Sequence, residues 1–224
     1  MLITATACLL GFANGMRHAL EPDHLAAVST LVAGERSAKT SVRFAAAWGA
    51  GHASTLVIAA GALALLRTEL PDLASDGLEL VVAVVLIALG VRGLVHHRHR
   101  HRHRHDAHDV HAPDAAHAVR AGNRWTVARL PFVVGLVHGL AGSGALAALV
   151  ASHVASPAFS LGFIAIYAFG AAAGMATLAG VLGWPLARLA RAPRLVPALV
   201  ALSAAASVVV GVAWAAPILL RLAA

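Results

Sequence analysis

The chain has 224 residues, of which 59% are hydrophobic and 12% are charged, and its mean hydropathy is +0.78. Soluble domains carry about 25% charged residues, so this composition excludes an ordinary water-soluble domain and indicates a membrane protein. The formal net charge of +7 comes mostly from arginines in short segments between apolar runs. That distribution is typical of membrane topology signals and argues against nucleic acid as a partner. The single cysteine, Cys8, can form no internal disulfide.

Six apolar runs are long enough to cross a bilayer as helices, since each crossing needs about 20 residues. They cover residues 2–33, 42–66, 77–96, 125–151, 158–184 and 195–220. The connections at 34–43, 92–129 and 187–194 are basic, and they alternate with connections that are uncharged or mainly acidic. The six runs predict an all-α, multi-pass protein with six transmembrane helices. Basic connections stay in the cytoplasm, and their alternation along the chain agrees with this number of helices. We expect it in a bacterial-type cytoplasmic membrane, with both termini outside.

The first run contains ionisable residues at a depth where they are costly. His18, Glu21, Asp23 and His24 surround Pro22, and each such group at the centre of a membrane helix costs roughly 2.5–3.5 kcal/mol on insertion scales. Pro22 has no amide proton to donate to the His18 carbonyl, so we expect a kink or break there. A break would bring together side chains that a continuous helix spreads around its axis. It would also free the His18 carbonyl as a further oxygen ligand or as an acceptor for water.

Two more histidines lie at a comparable depth. His52 is about ten residues into the second run and His138 about thirteen into the fourth, so at about 1.5 Å per residue both approach the bilayer centre, as His18 does. For a lone membrane histidine the alternative role is a hydrogen bond to a neighbouring carbonyl. Met175, in the fifth run, is an auxiliary candidate whose alternative role is core packing.

The two halves of the chain resemble each other weakly. The matched pairs are Gly15–Leu20 with Gly135–Leu140, Gly51–Ser54 with Gly174–Thr177, and Gly90–Val91 with Gly211–Val212. Three helices in each half would give the halves opposite orientations, an inverted repeat that places a substrate site near the bilayer midplane. We therefore expect a three-helix repeat over 1–96, a loop over 97–124 and a second three-helix repeat over 125–224.

The loop between the two halves is rich in histidine and arginine. Nine histidines lie between His96 and His117, and several alternate with arginines. Histidine tracts bind metals, whereas the interleaved arginines repel a divalent cation and serve as a cytoplasmic anchor. Both roles remain open for this loop.

Imidazoles and a carboxylate in a largely dry pocket favour a divalent transition metal. Imidazole binds Ni²⁺, Co²⁺, Zn²⁺ and Cu²⁺, whereas Mg²⁺ and Ca²⁺ prefer oxygen-rich sites. Copper(I) and iron–sulfur chemistry are disfavoured because there is no thiolate cluster. Glu21 and Asp23 are candidates for proton-linked charge compensation.

Three segments resemble a known family. The residues from His18 to His24 reproduce the HxxxxDH signature of the nickel/cobalt transporter family, and Gly51–Ser54 is similar to the second-helix segment of that family. The segment Gly135–Ser143 is similar to one in the urease-accessory and small-permease branch. The chain departs from the commoner pattern by its Glu21-Pro22 pair and by having six rather than eight spans.

The resemblance implies a permease that moves Ni²⁺ or Co²⁺ as its substrate. It implies that His18, Asp23 and His24 are metal ligands, to which the depth argument adds His52 and His138. We expect no tightly bound cofactor, and we expect as partners the metal ion, the lipid bilayer and cytoplasmic nickel-handling proteins.

Three other functions remain open. An efflux permease would use the same ligands, and a metal-binding accessory protein for urease or hydrogenase would bind without transport. An intramembrane metalloenzyme is disfavoured, because the HExxH spacing is absent and no candidate nucleophile pairs with a base. We therefore expect the protein not to be an enzyme.

Overall fold

The computed structural model describes residues 2–32, 38–102, 124–153, 156–189 and 195–223. Within these ranges the chain is helical apart from short turns, which confirms the all-α class. The helices are α1 (Leu2–His18), α2 (Pro22–Val32), α3 (Ala38–Thr55), α4 (Gly61–Leu66), α5 (Asp72–Arg102), α6 (Arg124–His153), α7 (Pro157–Leu189) and α8 (Leu195–Ala223), with a π-helical turn (Leu56–Ala60) between α3 and α4. Most of the predicted loop over 97–124 lies outside the described residues.

The first apolar run is broken, as Pro22 predicts. α1 ends at His18 and α2 begins at Pro22, the first helical position, where the missing amide and fixed φ of proline are best tolerated. The Glu21 amide donates to the His18 carbonyl at 3.0 Å, and the Leu25 amide donates to the Glu21 carbonyl at 2.9 Å. The expectation that the break leaves the His18 carbonyl without a hydrogen bond is therefore wrong, because the tight turn between the two helices supplies a donor to that oxygen.

The second apolar run is one helical segment with a local defect. α3 passes through the π-helical turn, which begins at Leu56, into α4. The hydroxyl of Thr55 lies 3.2 Å from the Gly51 carbonyl and 3.0 Å from the Leu136 carbonyl of α6. Short π-helical turns are frequent at functional sites, and this one follows His52 by about one helical turn.

Four helical segments in the described ranges are long and apolar enough to cross a membrane. They are Lys39–Leu66, Asp72–Val95, Pro157–Gly183 and Ala198–Ala223. α6 contributes a shorter apolar segment, Arg129–Gly142, and the first run is divided between α1, with 17 residues, and α2, with 11. By length and composition alone, the described residues of this helical membrane protein therefore contain four helical segments that could cross a membrane, where the sequence predicts six.

Two helix pairs, α1 with α7 and α3 with α6, make equivalent close contacts. A Cβ on Gly15 of α1 would strike the carbonyl oxygen of Tyr167, and a Cβ on Gly135 of α6 would strike that of Trp48. Small residues let membrane helices approach closely, which increases their van der Waals contact. Gly15 and Gly135, which the sequence comparison pairs, thus occupy corresponding positions in the two interfaces.

The opposite sides of these interfaces also contain glycine. A Cβ on Gly51 of α3 would strike the Phe132 oxygen, and a Cβ on Gly170 of α7 would strike the Phe12 oxygen. Gly51 and Gly170 therefore occupy corresponding positions in the two interfaces, one between α3 and α6 and the other between α7 and α1. The comparison of the two halves of the sequence had instead paired Gly51 with Gly174. The alignment of the second and fifth runs was therefore wrong by about one helical turn.

α5 and α8 contact each other through a reciprocal pair of glycines. A Cβ on Gly90 would meet the carbonyl oxygen of Ala204, and a Cβ on Gly211 would meet that of Ala83. The residue numbers rise along α5 as they fall along α8, so the two helices run antiparallel. Gly90 and Gly211 correspond to each other here as the sequence comparison paired them.

Candidate metal site

Five residues singled out in the sequence converge at the break in the first run. His18 is the last residue of α1, Asp23 and His24 lie in the first turn of α2, His52 is near the end of α3, and His138 lies midway along α6. All are buried except His18, whose side chain is 11% exposed. Four imidazoles and a carboxylate therefore share one largely buried region.

Asp23 is held by two of the histidines. Its Oδ1 lies 3.0 Å from Nδ1 of His24, and its Oδ2 lies 2.7 Å from Nε2 of His138. An ionised carboxylate can only accept hydrogen bonds, so both of these ring nitrogens donate. The remaining nitrogen of His24, Nε2, is buried and has no hydrogen-bond partner among the described residues.

His18 lies between Glu21 and His52. Its Nδ1 is 3.0 Å from Oε1 of Glu21, and its Nε2 is 3.2 Å from Nε2 of His52. Because ionised Glu21 accepts from Nδ1, the Nε2 of a neutral His18 ring is an acceptor, and His52 donates to it through its own Nε2. The other His52 nitrogen, Nδ1, is buried and unpartnered within the described ranges.

The possible ligand atoms form two groups that share His24. One ligand atom from each of His18, His24 and His52 lies within 4.8 Å of the other two, and the same limit holds for Asp23, His24 and His138. Imidazole with or without a carboxylate suits divalent transition metals. Each group could therefore supply three ligands to one ion.

Sequence reasoning missed two aromatic side chains at the border of the cluster. The ring centroid of Trp48 lies 5.4 Å from that of His24, and the ring centroid of Tyr167 lies 5.7 Å from that of His18. Trp48 is fully buried. It precedes His52 by one helical turn and so shares its face of α3, a signal that could have found it. No comparable signal in the sequence points to Tyr167.

The two auxiliary candidates occupy different surroundings. Glu21 is half-exposed and its carboxylate faces His18. Met175 is fully buried in a hydrophobic cluster that also contains Ala26, Ala27 and Trp48. Met175 thus has the position of a core packing residue.

A cavity of about 460 Å³ reaches the cluster. Four residues of the cluster line it: His18, Asp23, His24 and His138. Its walls also include Glu21, which contacts His18, and Glu79 of α5 and Trp214 of α8. This is the end of the bundle at which Arg221 of α8 pairs with Asp76 of α5, at 2.7 Å. The cluster is therefore reached from the end where α5 begins and α8 ends.

Membrane-length helices, an interrupted helical run and a buried imidazole–carboxylate cluster at the interruption define a multi-pass membrane protein with a candidate metal site. The chain is 31% identical over 207 residues to urease accessory protein UreH of Bacillus sp. (strain TB-90), a match that covers 91% of this chain and 87% of the relative. The chain belongs to the family of that protein. This relationship supports the nickel-permease family that the motifs resemble, without separating its branches. The relative is by its name a urease accessory protein.

No protein-family model matches the chain, and no solved structure matches it.

Proposed function

We propose that this protein is a permease that moves a divalent transition-metal ion, nickel or alternatively cobalt, into the cytoplasm through the buried histidine–aspartate cluster. One observation carries the proposal: four histidines and an aspartate from four helices meet beside a cavity inside the bundle. Ionisable groups within a membrane are costly and mark ion pathways. A purely structural role would not require so many of them in one place.

The cargo follows from the ligand chemistry and from the family. Imidazole binds Ni²⁺, Co²⁺ and Zn²⁺, and affinity alone does not identify the cargo, because the order of affinities is a property of the metals more than of this site. The relative is named a urease accessory protein, and the HxxxxDH motif resembles that of nickel/cobalt transporters, so nickel is our first choice. The proposed activity needs neither a chemical reaction nor a resident cofactor, and it delivers the ion to cytoplasmic nickel-handling proteins.

We include an inverted repeat of six spans in the proposal, because it explains how the cluster is assembled. Gly61 of α4 faces Leu161 of α7, and Gly180 of α7 faces Val42 of α3, so the segment formed by α3 and α4 runs antiparallel to α7, as α5 does to α8. The glycine contacts between α1 and α7 have counterparts between α3 and α6. An approximate twofold axis in the membrane plane, relating α1–α5 to α6–α8, accounts for both observations and is common in transporters.

The shape of the cavity supports import. Its walls at the end away from the cluster include Glu79 and Trp214. In the opposite direction α2 continues into the buried hydrophobic cluster through Ala26, Ala27 and Val28. If the basic connections are cytoplasmic, both termini and the accessible end face outwards. The cluster is then placed to receive an ion from outside before the helices rearrange.

The direct test is metal uptake by vesicles that contain the purified protein, with Ni²⁺, Co²⁺ and Zn²⁺ in competition. We expect more Ni²⁺ to accumulate in these vesicles than in control vesicles without protein. We also expect unlabelled Co²⁺ to reduce Ni²⁺ uptake more than unlabelled Zn²⁺ does. Accumulation only in vesicles where the cytoplasmic face of the protein points outwards would identify an exporter. Binding without accumulation would contradict transport.

The name of the relative favours one second candidate, a membrane accessory protein that binds nickel without moving it. The same vesicles distinguish the two functions. An accessory protein would bind no more than a fixed stoichiometric amount of Ni²⁺, whereas a permease would accumulate many ions per molecule.

Replacement of Glu79 with glutamine should slow metal entry without changing the site itself. Glu79 lines the cavity away from the cluster, where a negative charge raises the local concentration of a cation and its association rate. We expect the KM for Ni²⁺ to rise several-fold, with kcat nearly unchanged and the difference shrinking at high salt. Glu69→Gln is the matched control, because Glu69 is exposed in the neighbouring connection. Equal KM values for the two variants would contradict this role.

A further inference from the structure

We propose that the transported ion is bound by three imidazoles, those of His18, His24 and His52, and that Asp23 and His138 are positioning residues outside the ligand shell. This inference rests on the proposed function and assigns roles within the same cluster. It differs from the ligand set that the motif resemblance implies, in which Asp23 binds the ion directly.

The first argument is the spacing between donor atoms. Two nitrogens that each lie about 2.0–2.1 Å from a tetrahedral ion are about 3.3–3.4 Å apart. The Nε2 atoms of His18 and His52 are 3.2 Å apart, which is already close to that separation. By contrast, Oδ2 of Asp23 and Nε2 of His138 are 2.7 Å apart, the length of a hydrogen bond to a charged acceptor. The first pair, although joined by a hydrogen bond in this structure, already has the separation of two ligands of one ion, whereas the second pair would have to move apart to bind one.

The second argument is the direction of the hydrogen bonds. Metal-binding histidines almost always donate their second ring N–H to a carboxylate, a carbonyl or water, which fixes the tautomer and the ring orientation. His18 already does so to Glu21, and His24 does so to Asp23, both at 3.0 Å. In each ring this leaves the lone pair on Nε2. The lone pair of His24 has no partner among the described residues, and that of His18 accepts from His52 until an ion takes its place. Both rings therefore hold the tautomer that a metal ligand requires.

One of the two buried nitrogens without partners, Nε2 of His24, completes the set. Nε2 of His24 and Nδ1 of His52 have no hydrogen-bond partner among the described residues. An ion bound to Nε2 of His24 supplies its missing partner. When Nε2 of His52 binds the same ion, that ring changes tautomer and carries its proton on Nδ1.

His138 acts on the ion through Asp23. Its Nε2 donates to the carboxylate oxygen that His24 does not use, so the two histidines hold Asp23 from both sides. Because His138 is on α6 and Asp23 is on α2, this bond also fixes the position of the broken helical run against the second half of the chain. His138 and Asp23 thereby orient His24 without binding the ion.

The test uses Co²⁺ bound to the purified full-length protein in detergent, with X-ray absorption and visible d–d spectra as readouts. For the wild type we expect about three imidazoles in the ligand shell and no oxygen ligand from Asp23. In Asp23→Asn the side-chain oxygen still accepts from His24 Nδ1. We therefore expect the same spectrum with affinity lowered by about 10–100-fold, as for outer-shell partners of metal ligands. A change in the oxygen count or the d–d bands of Asp23→Asn would overturn the assignment.

His138 is tested by a conservative pair of variants. His138→Gln retains an N–H donor near the position of Nε2 and should keep most of the Co²⁺ affinity, whereas His138→Leu should lose it by about 10–100-fold. Neither change should remove an imidazole from the ligand shell, and loss of one in either variant would show that His138 is a ligand. Wild-type protein that binds neither Ni²⁺ nor Co²⁺ would contradict the proposed function itself, and Ni²⁺ replaces Co²⁺ as the probe if it alone binds. Wild-type protein that binds Co²⁺ through a carboxylate would contradict only the assignment of roles.

Discussion

Replacement of His24 with alanine is expected to eliminate nickel transport and to remove the stabilisation of the protein by nickel. His24 belongs to both groups of ligand atoms, so no complete set of three survives its loss. Because changes to outer-shell partners alone cost about 10–100-fold in affinity, the loss of a ligand should cost about 100-fold or more. The measurements are Ni²⁺ uptake by vesicles and thermal unfolding of the detergent-solubilised protein with and without Ni²⁺.

The thermal measurement gives a quantitative expectation. At a Ni²⁺ concentration of 100 times the wild-type Kd, the ion stabilises the folded protein by about 2.7 kcal/mol. At the same concentration, a variant with a 100-fold weaker Kd gains only about 0.4 kcal/mol. Leu25→Ala is the control, because Leu25 is the next residue of α2 and is exposed. If His24→Ala retained the full nickel-dependent shift, the cluster would not be the binding site.

Replacement of Gly135 with valine is expected to destabilise the protein and to weaken metal binding together. A Cβ at this position would strike the Trp48 carbonyl and crowd the His52 amide, so α6 would have to move away from α3. Overpacking typically costs about 1–3 kcal/mol, and backbone atoms yield less readily than side chains. His52 and His138 lie on these two helices, so the same displacement separates the two sides of the cluster.

The matched control is Gly162→Val on α7. Gly162 is also a helical glycine, but a Cβ there would meet nothing within 4 Å. The two variants share the same chemical change and the same change in helix propensity, and only the crowding differs. We expect a clear fall in unfolding temperature and weaker Co²⁺ binding for Gly135→Val, and neither for Gly162→Val. Equal unfolding temperatures would show that the close approach of α3 and α6 is not important for stability.

The location of the cluster could be predicted from the sequence because polar residues in an apolar run are conspicuous. The composition marks His18, Asp23 and His24, and Pro22 marks the break, since a residue without an amide proton cannot continue the helical ladder. His52 and His138 could be matched in depth by counting, because the rise per residue of an α-helix is constant. Transport and the metal itself are not readable in this way and remain proposals.

The sequence could not predict the register between the two halves. Residues four positions apart lie on the same helix face, so pairing Gly51 with Gly174 or with Gly170 gives equally reasonable alignments of weakly similar segments. Only the contacts with Phe132 and Phe12 decide between them. The hydrogen bond to the His18 carbonyl could not be predicted for a related reason. After proline ends a helix, a tight turn can still supply a donor from residue i+3, here the Glu21 amide.

The amino-acid sequence by itself determined that this is an all-helical membrane protein with ionisable residues beside a broken helix, because length, hydropathy and proline act locally. It did not determine which nitrogen of each histidine faces which oxygen. That depends on the rotation and separation of α1, α2, α3 and α6, which the packing of glycines against neighbouring backbone sets. The tertiary structure alone therefore placed Asp23 between His24 and His138 and left Nε2 of His24 without a hydrogen-bond partner among the described residues.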